Sequence, residues 1–166
     1  MLVARERSFA ALHSENYGRI YRYIAYRISD ADRAEELAGD VFRIAWEKDL
    51  PEDPGIGWLI ATARNVVANE YKGRSRRQLL REGLQERMRV AAATNDNESD
   101  AVADVLARLN DKHREVLMLA YWDGLTTAEL AESLGCSTSA AGVRLHRARK
   151  AFAGMVPEHL MNERTA

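Results

Sequence analysis

One stretch, LAESLGCSTSAAGVRLHRARK, limits what this chain can fold into more than any other. It opens with good helix formers, stops at Gly135-Cys136-Ser137 and restarts. Just before it, Thr126-Thr127-Ala128-Glu129 has the form of a capping box, with Thr126 as N-cap and Glu129 at the third helical position. Leu125 and Leu130 suit the hydrophobic staple that brackets such a start. Gly135 can take a left-handed turn, and Ser137 can cap the helix that follows. Two helices joined by a three-residue turn containing Gly predict a helix-turn-helix, with Ala131 small where they cross. On the second helix Ala141, Leu145, Ala148 and Phe152 fall at i, i+4, i+7 and i+11, one apolar stripe. Opposite lie Ser139, Val143, His146 and Lys150, with Arg147 beside them and Arg144 and Arg149 flanking. The break thus turns a basic helix outward, as a helix entering a DNA major groove requires. A merely solvated charged face is the plainer reading of the same pattern.

The rest of the chain is read as helix too. Phe9, Leu12, Ile20, Tyr21, Ile24 and Ile28 recur at helical spacing; after Ser29-Asp30, so do Ala34, Leu37, Ala38, Val41, Phe42 and Ala45. EKDLPEDPGIG holds two of the three Pro and reads as a loop, with Asp53 expected as N-cap and Pro54 as first residue of the next helix. WLIATARNVVANEYK is that third helix, and no alternation of period two competes anywhere. Residues 78–100 lose their apolar anchors and read as a flexible linker, spanning about 25 Å as a coil. The expectation is therefore an all-α protein of two small helical domains, 1–77 and 101–166, joined by that linker. Domains so small are often marginal alone, which points to partners.

Charge and composition narrow the function. The net charge of -1 provides no global basic field, so any DNA-binding surface is local. A single Cys excludes an intrachain disulfide and suits a reducing compartment. MLVARERSFAAL lacks the apolar core of a signal peptide, and no run approaches a membrane span, so a cytoplasmic protein without membrane insertion is expected. The four His are scattered without metal-ligand spacing and no nucleotide-binding Gly loop appears, so no catalytic residue, metal or cofactor is expected.

GLTTAELAESLGCS and RLHRARK, preceded by LARLNDKHREVLMLAYWDG, resemble region 4 of extracytoplasmic-function (ECF) sigma factors of the sigma-70 superfamily. FAALHSENYGRIYRYIAYRISDADRAEELAGDVFRIAWEK and PGIGWLIATARNVVANEYKGRSRR are similar to region 2. The resemblance covers nearly the whole chain in the family's order. It implies a region 2-like bundle, 1–77, that binds core RNA polymerase and the minus-ten promoter element, partly as single strand. It implies a region 4-like helix-turn-helix, 101–166, that reads the minus-thirty-five element as duplex, with the linker running through the polymerase toward the RNA exit path. An anti-sigma factor is the regulator the resemblance implies.

Site residues follow from both lines of reading. On the third helix Trp58, Thr62, Asn65 and Asn69 form one stripe, and amide edges suit unpaired bases. Trp58 is read first as core. Asn65 in ARN matches the family's DNA-facing position, and Asn69 is taken with it. Lys72, Arg74, Arg76 and Arg77 suit a phosphate track or a solvated helix end. Ser139, Val143, Arg144, His146, Arg147 and Lys150 are the residues assigned to the minus-thirty-five element. By resemblance Glu36, Leu37, Asp40 and Phe42 occupy the polymerase-binding region, with Phe42 equally readable as core. The loop Asp49 to Asp53 matches the family's specificity loop. Gly39, Asn69 and Ala140-Ala141-Gly142 depart from common family residues, so the front of the recognition helix is chemically quiet. Two other classes stay open: a stand-alone helix-turn-helix regulator, and a helical interaction protein with a degenerate DNA face.

Overall fold

The computed structural model describes residues 2–50, 52–72 and 96–157, with the backbone alone for 96–100. Among them are seven helices and no strand: α1 (Leu2–Ala25), α2 (Ala31–Lys48), α3 (Ile56–Glu70), α4 (Asp96–Arg108), α5 (Asp111–Tyr121), α6 (Thr127–Leu134) and α7 (Thr138–Met155). The domain limit expected at residue 77 and residues 78–95 of the expected linker lie outside the described residues. Residues 96–100, also read as linker, are the first turn of α4. This corrects the sequence reading. DNESD has no apolar anchor, but acidic residues favour a helix N-terminus through its dipole.

Local chemistry explains most helix limits. The Asp30 carboxylate accepts from the backbone N–H groups of Asp32 (3.0 Å) and Arg33 (3.2 Å), which starts α2. The start of α3 differs from expectation. Its N-cap is Gly55, without a side-chain bond, and the helix opens at Ile56. Asp53 is engaged elsewhere, accepting from the Ser8 hydroxyl of α1. Asn110 caps α5 through the N–H of His113 at 2.8 Å. Arg114, 3% exposed, donates to the carbonyls of Leu106, Ala107 and Leu109 at 3.1–3.2 Å. It thereby closes the C-terminal end of α4, whose last carbonyls have no partner within the helix.

Helices α1, α2 and α3 pack pairwise into a three-helix bundle. Its interior includes Ile20, Tyr23, Ile24, Ala34, Leu37, Val41, Phe42, Leu59 and Ile60, all at most 3% exposed. In the second half α7 packs against α4, α5 and α6. Leu106, Met118, Leu119, Leu130, Ala141 and Ala148 fill that interior. The two halves do not stand apart. Helix α3 packs directly on α6, and the buried apolar residues of both halves form one continuous cluster.

Candidate nucleic-acid interface

The helix-turn-helix is set by hydrogen bonds between near neighbours. Thr126 Oγ1 accepts from the N–H of Glu129 at 3.1 Å, and Glu129 Oε1 accepts from the N–H of Thr126 at 2.9 Å, a complete capping box. Thr126→Ala is expected to lower stability by about 1 kcal/mol, measured as a shift of the urea midpoint with unchanged slope. Gly135 adopts φ 67° and ψ 37°. The N–H groups of Gly135 and Cys136 reach the carbonyls of Glu132 (3.3 Å) and Ala131 (3.0 Å), a Schellman closure. The Ser137 hydroxyl then accepts from the N–H of Ala140 at 3.1 Å and opens α7. Half-buried Cys136 packs against the core.

Helix α7 buries Ala141, Leu145 and Ala148 and exposes Ser139, Val143, Arg144, His146, Arg147 and Lys150 together. Val143 stands among these polar side chains, 49% exposed. Among the described residues, no ion pair takes up Arg144, Arg147 or Lys150. Their guanidinium and ammonium groups face solvent, ready for phosphate oxygens or base edges. Arg149 is held differently. It donates to the Tyr121 hydroxyl at 2.5 Å and lies over that ring. Tyr121, 56% exposed at the end of α5, was missed in the sequence, because nothing local marks it as a partner of a residue 28 positions away.

On α3 both Asn65 and Asn69 are exposed, and Lys72 is exposed just beyond the helix. Arg74, Arg76 and Arg77 lie outside the described residues. Trp58 is partly buried and packs against the core; its carbonyl accepts from the Thr62 hydroxyl at 3.1 Å. The C-terminal end of α3 is fixed to α2 by a bidentate pair, Arg33 Nε and Nη2 to the Glu70 carboxylate at 2.9 and 2.7 Å. The next loop is tied to α1: Asp49 pairs with Arg5 at 3.3 Å and Asp53 with Ser8. Arg5 also lies over Trp46, 4.0 Å from the ring centroid, so Trp46 is a half-buried platform for that cation.

The expected polymerase-binding residues divide. Glu36 is exposed, pairing with Arg33 at 2.8 Å, and Asp40 is partly exposed, near Arg43 at 3.6 Å. Leu37 and Phe42, at 3% and 2% exposure, are interior and present no surface to a partner. That corrects the reading of these two as contacts. They sit on the face of α2 that packs on α1 and α3, where apolar burial outweighs any surface role. Gly39 faces solvent beside Glu36 and Asp40, and a Cβ there would meet nothing within 4 Å, so its lack of a side chain is not required by packing.

The comparisons with known proteins match this architecture. Residues 99–152 fit the family model "Sigma-70, region 4". The chain is 29% identical over 154 residues to the ECF RNA polymerase sigma factor SigL of Mycobacterium tuberculosis, covering 86% of this chain and 85% of that one. Along most of its length the chain is similar to sigma factors of the ECF group of the sigma-70 family. The ECF RNA polymerase sigma factor BldN of Streptomyces coelicolor is 28% identical over 162 residues, 91% of this chain and 61% of that protein. The solved structure of CnrH in complex with the cytosolic domain of CnrY shares the fold, with a TM-score of 0.63 at 23% identity over 90% of this chain and 87% of that one. The matched region 4 runs from near the start of α4 through most of α7, so the exposed basic face lies within it. No described helix is long and apolar enough to cross a membrane.

Proposed function

We propose that this ECF sigma factor binds core RNA polymerase in the cytoplasm, directs it to promoters with two spaced elements and helps open the minus-ten element. The proposed role involves no catalysis by the factor itself. Helix α7 lies in the major groove of the minus-thirty-five duplex. There Arg144, Arg147 and Lys150 supply phosphate and base contacts, Val143 packs on a thymine methyl, and Ser139 and His146 lie beside them. Asn65 and Asn69 on α3 read unpaired bases of the minus-ten element, with Lys72 and the following Arg74, Arg76 and Arg77 along the backbone. The polymerase surface centres on Glu36 and Asp40, around which Leu37 and Phe42 hold α2 rigid from within. The loop from Asp49 to Asp53, tied to α1 at both ends, is the specificity loop that accepts a flipped base.

The observation that carries this reading is the set of exposed cations on α7, Arg144, Arg147 and Lys150, without an ion-pair partner among the described residues and held outward by a fully capped helix-turn-helix. CnrH was solved with a protein partner, the cytosolic domain of CnrY, and a regulator of that general kind, an anti-sigma factor, is proposed here. Single-round transcription tests the function. Purified core polymerase is offered a promoter library with and without the protein. Protein-dependent transcripts from promoters sharing two spaced elements are expected. Tight duplex binding without polymerase, and no transcripts, would instead establish a stand-alone regulator.

A further inference from the structure

The first two turns of α1 hold the loop that joins α2 to α3. Arg5, Ser8 and Phe9 stand at i, i+3 and i+4, which places them on one face of the helix. Arg5 Nη2 donates to the carbonyl of Trp46, in the last turn of α2, at 2.5 Å, and Arg5 Nε lies 3.3 Å from the Asp49 carboxylate. Phe9 meets the Trp46 ring edge to face, with centroids 5.1 Å apart. Asp49 is the C-cap of α2 and adopts φ 48° and ψ 54°, a left-handed conformation that few residues other than glycine take up. At the far end of the loop the Ser8 hydroxyl donates to the Asp53 carboxylate. Helix α3 then opens after Gly55, which offers no side-chain cap.

We propose that Arg5 and Ser8 are positioning residues for promoter choice: by holding Asp49 and Asp53, they fix the two ends of this loop and so set which minus-ten base it accepts. The inference rests on the reading of the loop as the specificity loop, given above. The side chains of Arg5 and Asp49 are 39% and 74% exposed, and ion pairs so exposed contribute little to stability. What the contacts fix is geometry. A site that sorts ligands must be held to within about 0.5 Å, and loops do this less well than helices. Helix α1 supplies the rigidity. One of its side chains engages the entry to the loop and another the exit, and the planar fork of Arg5 reaches Trp46 and Asp49 at once. Arg5 also offsets the Asp49 carboxylate, which would otherwise oppose the approach of a phosphate backbone. Both residues lie on α1 rather than α3, so their action on DNA passes through the loop.

The test uses the full chain as holoenzyme. Promoters randomised across the minus-ten element, with the minus-thirty-five element held constant, are transcribed in a single round, and the transcripts are sequenced. Affinity for core polymerase and helical circular dichroism are measured in parallel. Met and Ala are good helix formers, so Arg5→Met and Ser8→Ala leave α1 itself intact. At the position read by the loop, the wild type should prefer one base by about fivefold or more, the ordinary cost of a mismatch, and Arg5→Met combined with Ser8→Ala is expected to reduce this to about twofold. Preference at the other positions and polymerase affinity should stay as they are. Ser8→Thr, which keeps the hydroxyl, is expected to keep the preference. Asp49→Asn tolerates the left-handed conformation but loses the charge, and is expected to relax the same position. An unchanged preference in the double variant, or a loss spread evenly over all promoters, would overturn the positioning role and leave the sigma-factor reading intact. Leu50→Ala with Glu52→Ala checks the loop itself. If that change leaves every minus-ten preference as it was, the loop does not read a base and the proposal falls with that reading.

Discussion

Arg27→Met is expected to destabilise the packed form of the protein by about 3–5 kcal/mol at neutral pH, the cost of leaving one member of a buried ion pair without its partner. Arg27 is 5% exposed and Asp123 1%. Arg27 donates to the Tyr23 carbonyl at 2.8 Å and stacks 3.6 Å above that ring. Its approach to Asp123 is only 3.5 Å, and neither Arg27 Nη2 nor either Asp123 carboxylate oxygen has a protein hydrogen-bond partner. Burial raises the Asp123 carboxyl above its ordinary 3.8 and outweighs the pull of Arg27, Arg22 and Arg19 in the other direction. A carboxyl raised in the folded form favours that form when protonated. Its contribution is therefore full below 3.8 and fades as the pH rises through the raised value. The loss in Arg27→Met should thus shrink as the pH is lowered through that window. Arg27→Met with Asp123→Leu together should match or exceed the wild type by about 1–4 kcal/mol. Urea titrations at several pH values, followed by tryptophan fluorescence and circular dichroism, measure all three. A loss below about 1 kcal/mol in Arg27→Met at neutral pH would show that this pair is not buried in solution.

Arg144→Ala and Arg147→Ala carry the largest effect expected on promoter use. Each exposed guanidinium on α7 is expected to contribute about 1–3 kcal/mol to the promoter complex, nearly additively if the two touch separate sites. The double variant should therefore lose about 2–5 kcal/mol of promoter affinity as holoenzyme, some 30- to several-thousand-fold. Salt separates the two kinds of interaction. For every phosphate no longer neutralised, the slope of log affinity against log salt falls by about 0.9. Removing a side chain that reads a base edge relaxes sequence preference at one position instead. Unchanged affinity and slope in the double variant would mean that α7 does not face DNA. Helix content should remain intact, because neither side chain has a packing role in the fold.

The helix-turn-helix is legible in the sequence almost residue by residue, and the start of α3 is not. At Thr126, Gly135 and Ser137 the deciding bonds join residues three to five positions apart, so the motif carries its own instructions. Asp53-Pro54 looks like an equally good start. The Asp53 carboxylate instead meets Ser8, 45 positions earlier, and the helix begins after Gly55. Leu37 and Phe42 show the same limit on a surface. Periodicity puts both on the apolar face of α2, while resemblance puts them at an interface. Only packing against α1 and α3 buries them.

The sequence by itself determined the all-helical class, most of the helix caps and the basic outer face of α7, because these depend on bonds and periodicities within a turn or two of chain. Tertiary structure decided what the arginines do. Arg114 closes the end of α4, Arg64 crosses 51 positions to Glu115, and Arg27 meets Asp123 with both side chains buried. In the sequence these three look like the arginines of α7. They differ because a long flexible cation takes whichever partner the packed helices bring within reach, and removal from water makes that choice energetically decisive.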